Sequence, residues 1–346
     1  MFLEKYRLVA MPPASWARFV LDQEKCNGCG RCVDTCPVQL LMLEDEKARS
    51  NQRYDTFRCL TCQNCTAVCP QDAVTIERDY RVPLGFWKNV HLFSGGKTPP
   101  APLGKSRGED FADYQHELTE TERVIYQRRS NRLYKKRQLS RELVERIIEA
   151  GRFAPSAGNN QPWKFIVIQD PEVLDEIDRK CKQILRLFAK LCLPHAWLDK
   201  KTPGDKTARL ASWQKLVLWI LVSFVRGDAD QRAHGGLNAV TSDPDYHTFF
   251  HAPTLILLLA DRRAIGGTDL DIGICGQNMV LAAHSLGLGT CYVDLITKAL
   301  THDREFGRKL GIRDPFKIVT VLALGHPKGR IDGIVRRERP RIDWIV

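Results

Sequence analysis

The chain has 346 residues, 43% of them hydrophobic and 27% charged; this excludes a disordered or coiled-coil protein and leaves room for two or three domains. What departs from the average is the count of 12 cysteines, because a chain long enough to bury a core has no need of disulfides in its place. Net charge is +11, yet residues 1–80 sum to −1 and residues 81–346 carry +12, so the field that favours phosphates, anionic substrates or an acidic partner belongs to the second part.

The opening MFLEKYRLVAMPPASW puts Glu4, Lys5 and Arg7 where a secretory leader needs an unbroken apolar stretch, so a cytoplasmic protein is expected. Eight cysteines follow in two runs, Cys26-x2-Cys29-x2-Cys32-x3-Cys36-Pro37 and Cys59-x2-Cys62-x2-Cys65-x3-Cys69-Pro70. Each cysteine of the second run stands 33 residues after its counterpart, prolines included, so the segment is a duplicated unit. Two residues between cysteines let a tight loop point three thiolates at one face of an iron-sulfur cube, and the fourth ligand comes from the other run. The spacing therefore assigns Cys26, Cys29, Cys32 and Cys69 to one 4Fe-4S cluster and Cys59, Cys62, Cys65 and Cys36 to a second. Zinc knuckles and disulfides are the competing readings, and neither suits two unbroken four-cysteine runs in a reducing compartment. Apolar runs at Phe19–Leu21, Leu40–Leu43 and Ala73–Ile76 predict small strands around the loops. Cys181, Cys192, Cys275 and Cys291 share no ligand spacing and are expected to pack as buried apolar residues.

From 81 to about 120 the glycines, prolines and lysines of LFSGGKTPPAPLGKSRGED predict a linker. Helical character resumes near Phe111. Apolar positions at Leu143, Val144, Ile147 and Ile148 give one buried helical face, and PWKFIVIQD then predicts a central strand. VLDEIDRKCKQILRLFAKL repeats the helical pattern, and LVLWILVSFV from Leu216 to Val225 is about half as long as a membrane span needs; it is expected as dimer core or lid. PTLILLLAD, TCYVD and KIVTVLALG predict further strands, with a helix from Asp271 to Leu286 among them. The expected fold class is α+β, with a ferredoxin-type domain at 16–80, a linker at 81–120 and a mixed α/β domain at 121–346.

Three local sequences carry chemistry. Arg128-Arg129-Ser130-Asn131-Arg132 offers guanidinium forks and a hydroxyl to a phosphate, or is a solvated basic face. Ala154-Pro155-Ser156-Ala157-Gly158-Asn159-Asn160-Gln161-Pro162-Trp163 offers small residues and amides to a planar heterocycle, or is an ordinary loop. Gly287-Leu288-Gly289-Thr290-Cys291-Tyr292 lets backbone approach a ligand, or caps a helix.

Residues 16–80 resemble the two-cluster 4Fe-4S bacterial ferredoxins. In this order, the three later segments, with the Gly325-His326-Pro327 turn, resemble the FMN-dependent nitroreductase family over about residues 122–340. That resemblance implies an FMN whose phosphate and ribityl chain lie near Arg128, Arg129, Ser130 and Arg132. It implies that Pro155, Ser156, Ala157 and Asn159 line the isoalloxazine, partly from the other subunit of a homodimer, and that Tyr292, Val293 and Asp294 flank it. Arg337 and Arg339 are the tail's expected phosphate partners. Between Pro171 and His251 the chain is longer than a minimal member, so no substrate contact carries over there.

The joint expectation is an iron-sulfur flavoprotein oxidoreductase. Electrons from a low-potential donor, reduced ferredoxin, pass through two clusters to FMN and on to a small conjugated acceptor: a nitroaromatic, a quinone or an activated alkene. No catalytic side chain is expected, because the flavin performs the bond chemistry. Two other readings stand beside it, an NAD(P)H-fed nitroreductase and an electron-transfer or redox-sensing module without turnover. Nucleic-acid binding is not expected, since the arginines have a phosphate-bearing cofactor to hold and no recognition motif accompanies them.

Overall fold

A computed structural model describes residues 15–51, 59–78, 80–81, 97–100, 111–192, 213, 236–237, 239–240, 243, 245–338 and 342–346. The run Leu216–Val225 lies outside them. The described residues fall into two compact units, one drawn from 1–109, 185–245 and 336–346, the other from 110–184 and 246–335.

In the first unit, β1 (Arg18–Leu21) pairs antiparallel with β4 (Val74–Glu77), and β2 (Leu41–Glu44) with β3 (Lys47–Ser50). Two short helices, α1 (Arg31–Asp34) and α2 (Asn64–Val68), lie between strands. The 33-residue repeat of the sequence recurs in the backbone. β2 and β4 are equivalent segments, and α1 and α2 start at equivalent positions. Left-handed φ recurs at Gly28 and Thr61 (71° and 54°) and at Gly30 and Gln63 (70° and 54°). Each of these residues sits in a two-residue gap between cysteines, where a left-handed step turns the chain tightly enough to aim successive thiols inward. Gly28 is required for a second reason: a Cβ there would stand 2.5 Å from the Glu46 carbonyl in the β2–β3 turn. The expected strands at 19–21, 40–43 and 73–76 correspond to β1, β2 and β4. β3 escaped notice because KARS has one buried apolar residue, Ala48.

Short β5 (Lys97–Thr98) is followed by the second unit, which opens with α3 (Phe111–Tyr114) and α4 (Glu120–Gln127). α4 starts on a capping box in which the Thr119 hydroxyl and the Glu122 carboxylate each accept from the other's backbone N–H. α5 (Arg141–Arg152) presents Val144, Ile147 and Gly151 inward, as its apolar spacing predicts. Then come β6 (Trp163–Ile168), α6 (Pro171–Cys192), β7 (Thr254–Asp261), α7 (Thr268–Ser285), β8 (Gly289–Tyr292), α8 (Asp294–His302), α9 (Arg304–Lys309) and β9 (Phe316–Gly325). The sheet order is β6-β7-β9-β8, and every pairing is antiparallel.

The fold is therefore α+β. β7 is central and its residues Leu255 to Ala260 are fully buried, which is why its apolar run is continuous rather than alternating. One face of β7, with Ile256, Leu258 and Ala260, packs with Leu322 and Leu324 against Ile272, Cys275, Met279, Val280 and Ala283 of α7. α7 is central for the same reason, and Gly151 lets α5 approach it, since a Cβ there would meet Met279 at 2.6 Å. β6, expected in the centre, is an edge strand; its outer position leaves Val167 40% exposed. Cys181, Cys275 and Cys291 are buried as expected, and the side chain of Cys192 lies outside the described set. The chain's late β10 (Arg337–Glu338) pairs with β5 in the first unit. Among the described residues no helix is long and apolar enough to cross a membrane.

Candidate functional site

The eight cysteines of the two runs line two pockets. Cys26, Cys29, Cys32 and Cys69 surround one, with Asn27, Gly28, Gly30, Leu43 and Ala48. Cys36, Cys59, Cys62 and Cys65 surround the other, with Val38, Leu40, Leu60 and Ile76. Three thiols in each set share one loop, and pairing of β1 with β4 brings the fourth from the other run. Backbone N–H groups point at the sulfurs: Leu40 N donates to Cys36 Sγ at 3.4 Å, Ala73 N to Cys69 Sγ at 3.3 Å and Thr61 N to Cys59 Sγ at 3.3 Å. The first two bonds are again 33 residues apart. All eight cysteines are free of disulfides.

Among the described residues no three His, Cys, Asp or Glu side chains close on a point as a single ion requires. Four thiols line each of two pockets, a donor set that fits a 4Fe-4S cube in each. Burial, and next the charge of Cys69, pushes the Cys32 thiol up to about 12, and burial holds Cys65 well above its ordinary value. These two thiols are protonated when bare, so a metal that binds them must release protons.

In the second unit, Arg128 closes α4, and the chain then runs beside β8: Asn131 N donates to the Thr290 carbonyl at 2.7 Å, and Ser130 bridges Thr290 in parallel. Gly289 makes this approach possible, because a Cβ there would lie 2.8 Å from Asn131 Cγ. Arg129 is buried, and its guanidinium donates to the Arg330 carbonyl. Burial, and then Arg132, pulls Arg129 down to about 10. Arg132 lies over the Phe250 ring at 5.5 Å.

The Nε atoms of Arg128 and Arg129 are buried with no hydrogen-bond partner among the described residues. An orphaned guanidinium N–H among several cations is what a bound phosphate would satisfy. His284, in the last turn of α7, is pushed down by burial and then by Arg128. The chain thus brings Arg132 and Arg330 near Arg129, and Arg128 and Arg129 near His284, with Asp332 among them and paired to Arg330 at 3.3 Å. Arg330 and His284 were missed by sequence reasoning: Arg330 follows the Gly325-His326-Pro327 turn closely and was discoverable, whereas nothing local marks His284.

Tyr292 continues this site toward the middle of α7, where its hydroxyl lies against Gly276; a Cβ on Gly276 would meet it at 2.7 Å. Burial raises Tyr292 to about 12. Val293 N donates to the Val321 carbonyl at 2.9 Å, and Thr320 Oγ1 donates to Asp294 Oδ1 at 3.4 Å. The segment from 155 to 159 lies elsewhere. Ser156 Oγ accepts from Gln161 N at 3.0 Å. Ala157 abuts Gly266, where a Cβ would stand 2.6 Å from the alanine methyl, and Gly158 faces Ile265. Gly266 precedes α7 and His284 ends it, about 27 Å apart along the axis at 1.5 Å per residue. Within one chain, then, Pro155, Ser156, Ala157 and Asn159 sit at one end of α7 and the arginine group at the other. Pro155 and Asn159 are exposed. Arg337 belongs to β10 in the first unit, opposite Thr98, and Arg339 lies outside the described residues.

Residues 125–326 match the family model described as the nitroreductase family, and residues 25–73 match that of a 4Fe-4S dicluster domain. A protein of Archaeoglobus fulgidus, provisionally named an NADH dehydrogenase/NAD(P)H nitroreductase, is 50% identical over 60 residues, 17% of this chain and 34% of its own length. The chain thus spans about a third of that relative. A 4-nitrobenzoate reductase of Pseudomonas putida is 26% identical over 209 residues, 59% of this chain and 83% of the relative. The crystal structure of a nitroreductase with bound FMN from Bacteroides fragilis is 24% identical, covers 66% of this chain and all of its own, and superposes with a TM-score of 0.44.

An α+β oxidoreductase domain with a cluster-binding domain ahead of it is the class these features define. The chain belongs to the nitroreductase family.

Proposed function

We propose that this chain is an iron-sulfur flavoprotein that takes electrons from a low-potential donor, reduced ferredoxin, through two 4Fe-4S clusters to FMN. The electrons then pass to a small conjugated acceptor such as a nitroaromatic, a quinone or an activated alkene. The observation that carries the reading is the presence of two four-cysteine pockets on one chain with a nitroreductase domain. When bound, a cluster passes electrons singly and a flavin accepts them singly or in pairs, so the two together convert one-electron supply into two-electron delivery.

In this reading Cys26, Cys29, Cys32 and Cys69 hold one cluster, and Cys36, Cys59, Cys62 and Cys65 the other. Arg128, Arg129, Ser130 and Arg132 bind the FMN phosphate and ribityl chain, with Arg337 or Arg339 as a further phosphate partner, and Tyr292, Val293 and Asp294 flank the ring. The partner copy of a homodimer supplies Pro155, Ser156, Ala157 and Asn159, which the length of α7 keeps from the same chain's arginines. In this reading a cluster domain at 16–80 and a flavin domain at 121–346 are joined by 81–120.

The test is anaerobic reduction of the full chain by reduced ferredoxin and by NAD(P)H in parallel, followed by flavin bleaching, with iron, sulfide and FMN counted per chain. Ferredoxin is expected to bleach the flavin, and eight irons and one FMN per chain are expected. If NADPH bleaches it rapidly while ferredoxin does not, the electron route is wrong and the NAD(P)H-fed reading, favoured by the names of several relatives, replaces it.

A further inference from the structure

Within the duplicated cluster unit, Lys47 is a cation whose counterpart 33 residues on is neutral. Lys47 opens β3, and its ammonium donates to the carbonyl of Cys26 at 2.6 Å and to that of Gln23 at 2.9 Å. It therefore ties the loop that carries the first cysteine of the first pocket to the β2–β3 hairpin. The next residue, Ala48, is 2% exposed and lines that pocket. Asp22 pairs with Lys25 at 3.3 Å and Glu44, across the ladder from Lys47, with Arg49 at 3.2 Å. Lys47 instead spends its hydrogen bonds on two neutral carbonyls, and among the described residues it makes no ion pair.

Among the described residues the second half has no lysine at the matching position. The residue 33 places after Lys47 is Tyr80, buried with its ring 4.8 Å from that of Trp16. The pocket linings themselves are alike in kind: Asn27 and Gln71 stand among Leu43, Ala48 and Val74 in the first, and Thr35, Gln63 and Asn64 among Leu40, Leu41 and Ile76 in the second, so the lysine is the difference that the proposal uses. A cluster gains negative charge on reduction. A cation held against the loop of one cluster favours its reduced form.

We propose that Lys47 is a positioning residue that holds the Cys26 loop and raises the reduction potential of the first cluster above that of the second. The proposal rests on the assignment of two clusters above. It adds a ranking of the two otherwise duplicated sites and names the side chain that sets it.

The test is an anaerobic potentiometric experiment on the full chain, followed by electron paramagnetic resonance, for the wild type, Lys47→Met and Lys47→Arg. Iron and sulfide are counted for each; fewer than eight irons in the wild type would defeat the two-cluster reading itself, a failure distinct from any of the following. With clusters present, two separate midpoints are expected. Lys47→Met should lower the higher midpoint toward the other and leave the lower one in place, and Lys47→Arg, which keeps the charge, should restore most of the gap. Unchanged midpoints in Lys47→Met, equal movement of both, or an arginine variant that behaves like methionine would overturn the proposal. Should Lys47→Met shed iron, Lys47→Gln, neutral but still able to donate a hydrogen bond, takes its place, and an unshifted higher midpoint there is equally decisive.

Discussion

The two units solve the problem of stability differently. Around the cysteine loops the described residues form a buried apolar cluster of Cys32, Leu41, Ala48, Cys69, Ala73 and Val74, so two of its six members are themselves candidate ligands. The nitroreductase unit instead buries fifteen residues in one cluster around β7 and α7, several of them with no exposure. With ligands making up part of that cluster, bound metal is expected to supply much of the order of the loops, whereas the sheet is held by an apolar core without ligands in it. The first unit is therefore expected to depend on its metal more than the second depends on any cofactor.

Removal of iron should separate them most sharply. Chelation under oxidising conditions is expected to abolish hydrogen-exchange protection in β1 to β4 while protection in β7 and β9 survives; equal loss in both units would break the distinction. Within the sheet unit, Leu257→Ala removes a fully buried side chain from the central strand and should cost about 2–5 kcal/mol. Denaturant unfolding would show it, with the iron content of the chain unchanged.

The smallest expected effect is a pH dependence confined to the second unit. Asp178 of α6 accepts from Thr248 N and Oγ1, both at 2.7 Å, and pairs with Lys182 at 2.9 Å. Beside it the rings of His247 and His251 lie 3.7 Å apart. Burial pushes both histidines below their ordinary value of 6.5; for His251 the neighbouring His247 adds to this, while Asp178 opposes it in both. Histidines that the fold holds neutral bind fewer protons than the unfolded chain does. Their contribution is therefore complete above about pH 6.5 and is lost as pH falls from there toward their depressed values. Thermal melts of the wild type should decline over that window. His247→Gln should flatten the decline, and a variant with the wild-type slope would show that the histidine pair is not its source.

Much of this was legible in the chain itself. Cysteine spacing predicts the loops because three thiols within seven residues are positioned by local backbone alone, and the 33-residue repeat reappears as matching left-handed turns at Gly28 and Thr61. Strands β7 and β9 were evident from unbroken apolar runs. β3 was not, because a strand that buries one alanine carries no pattern to detect. PWKFIVIQD looked central because apolarity reports burial and not sheet order. His284 is ordinary in sequence, and it joins Arg128 and Arg129 only because α7 delivers its last turn there.

By itself, then, the sequence determined the ligand chemistry: which residue types stand at spacings that a short loop can aim at one point, and which runs are apolar enough to be buried. Only the tertiary structure decided which groups meet. Pairing of β1 with β4 brings Cys69 to the first run, Lys47 reaches the Cys26 carbonyl across a hairpin, and the length of α7 parts the arginine group from the segment at 155–159. The reason is one of range. Spacing along a chain governs geometry over a few residues, and beyond that distance position is set by packing, which no local pattern encodes.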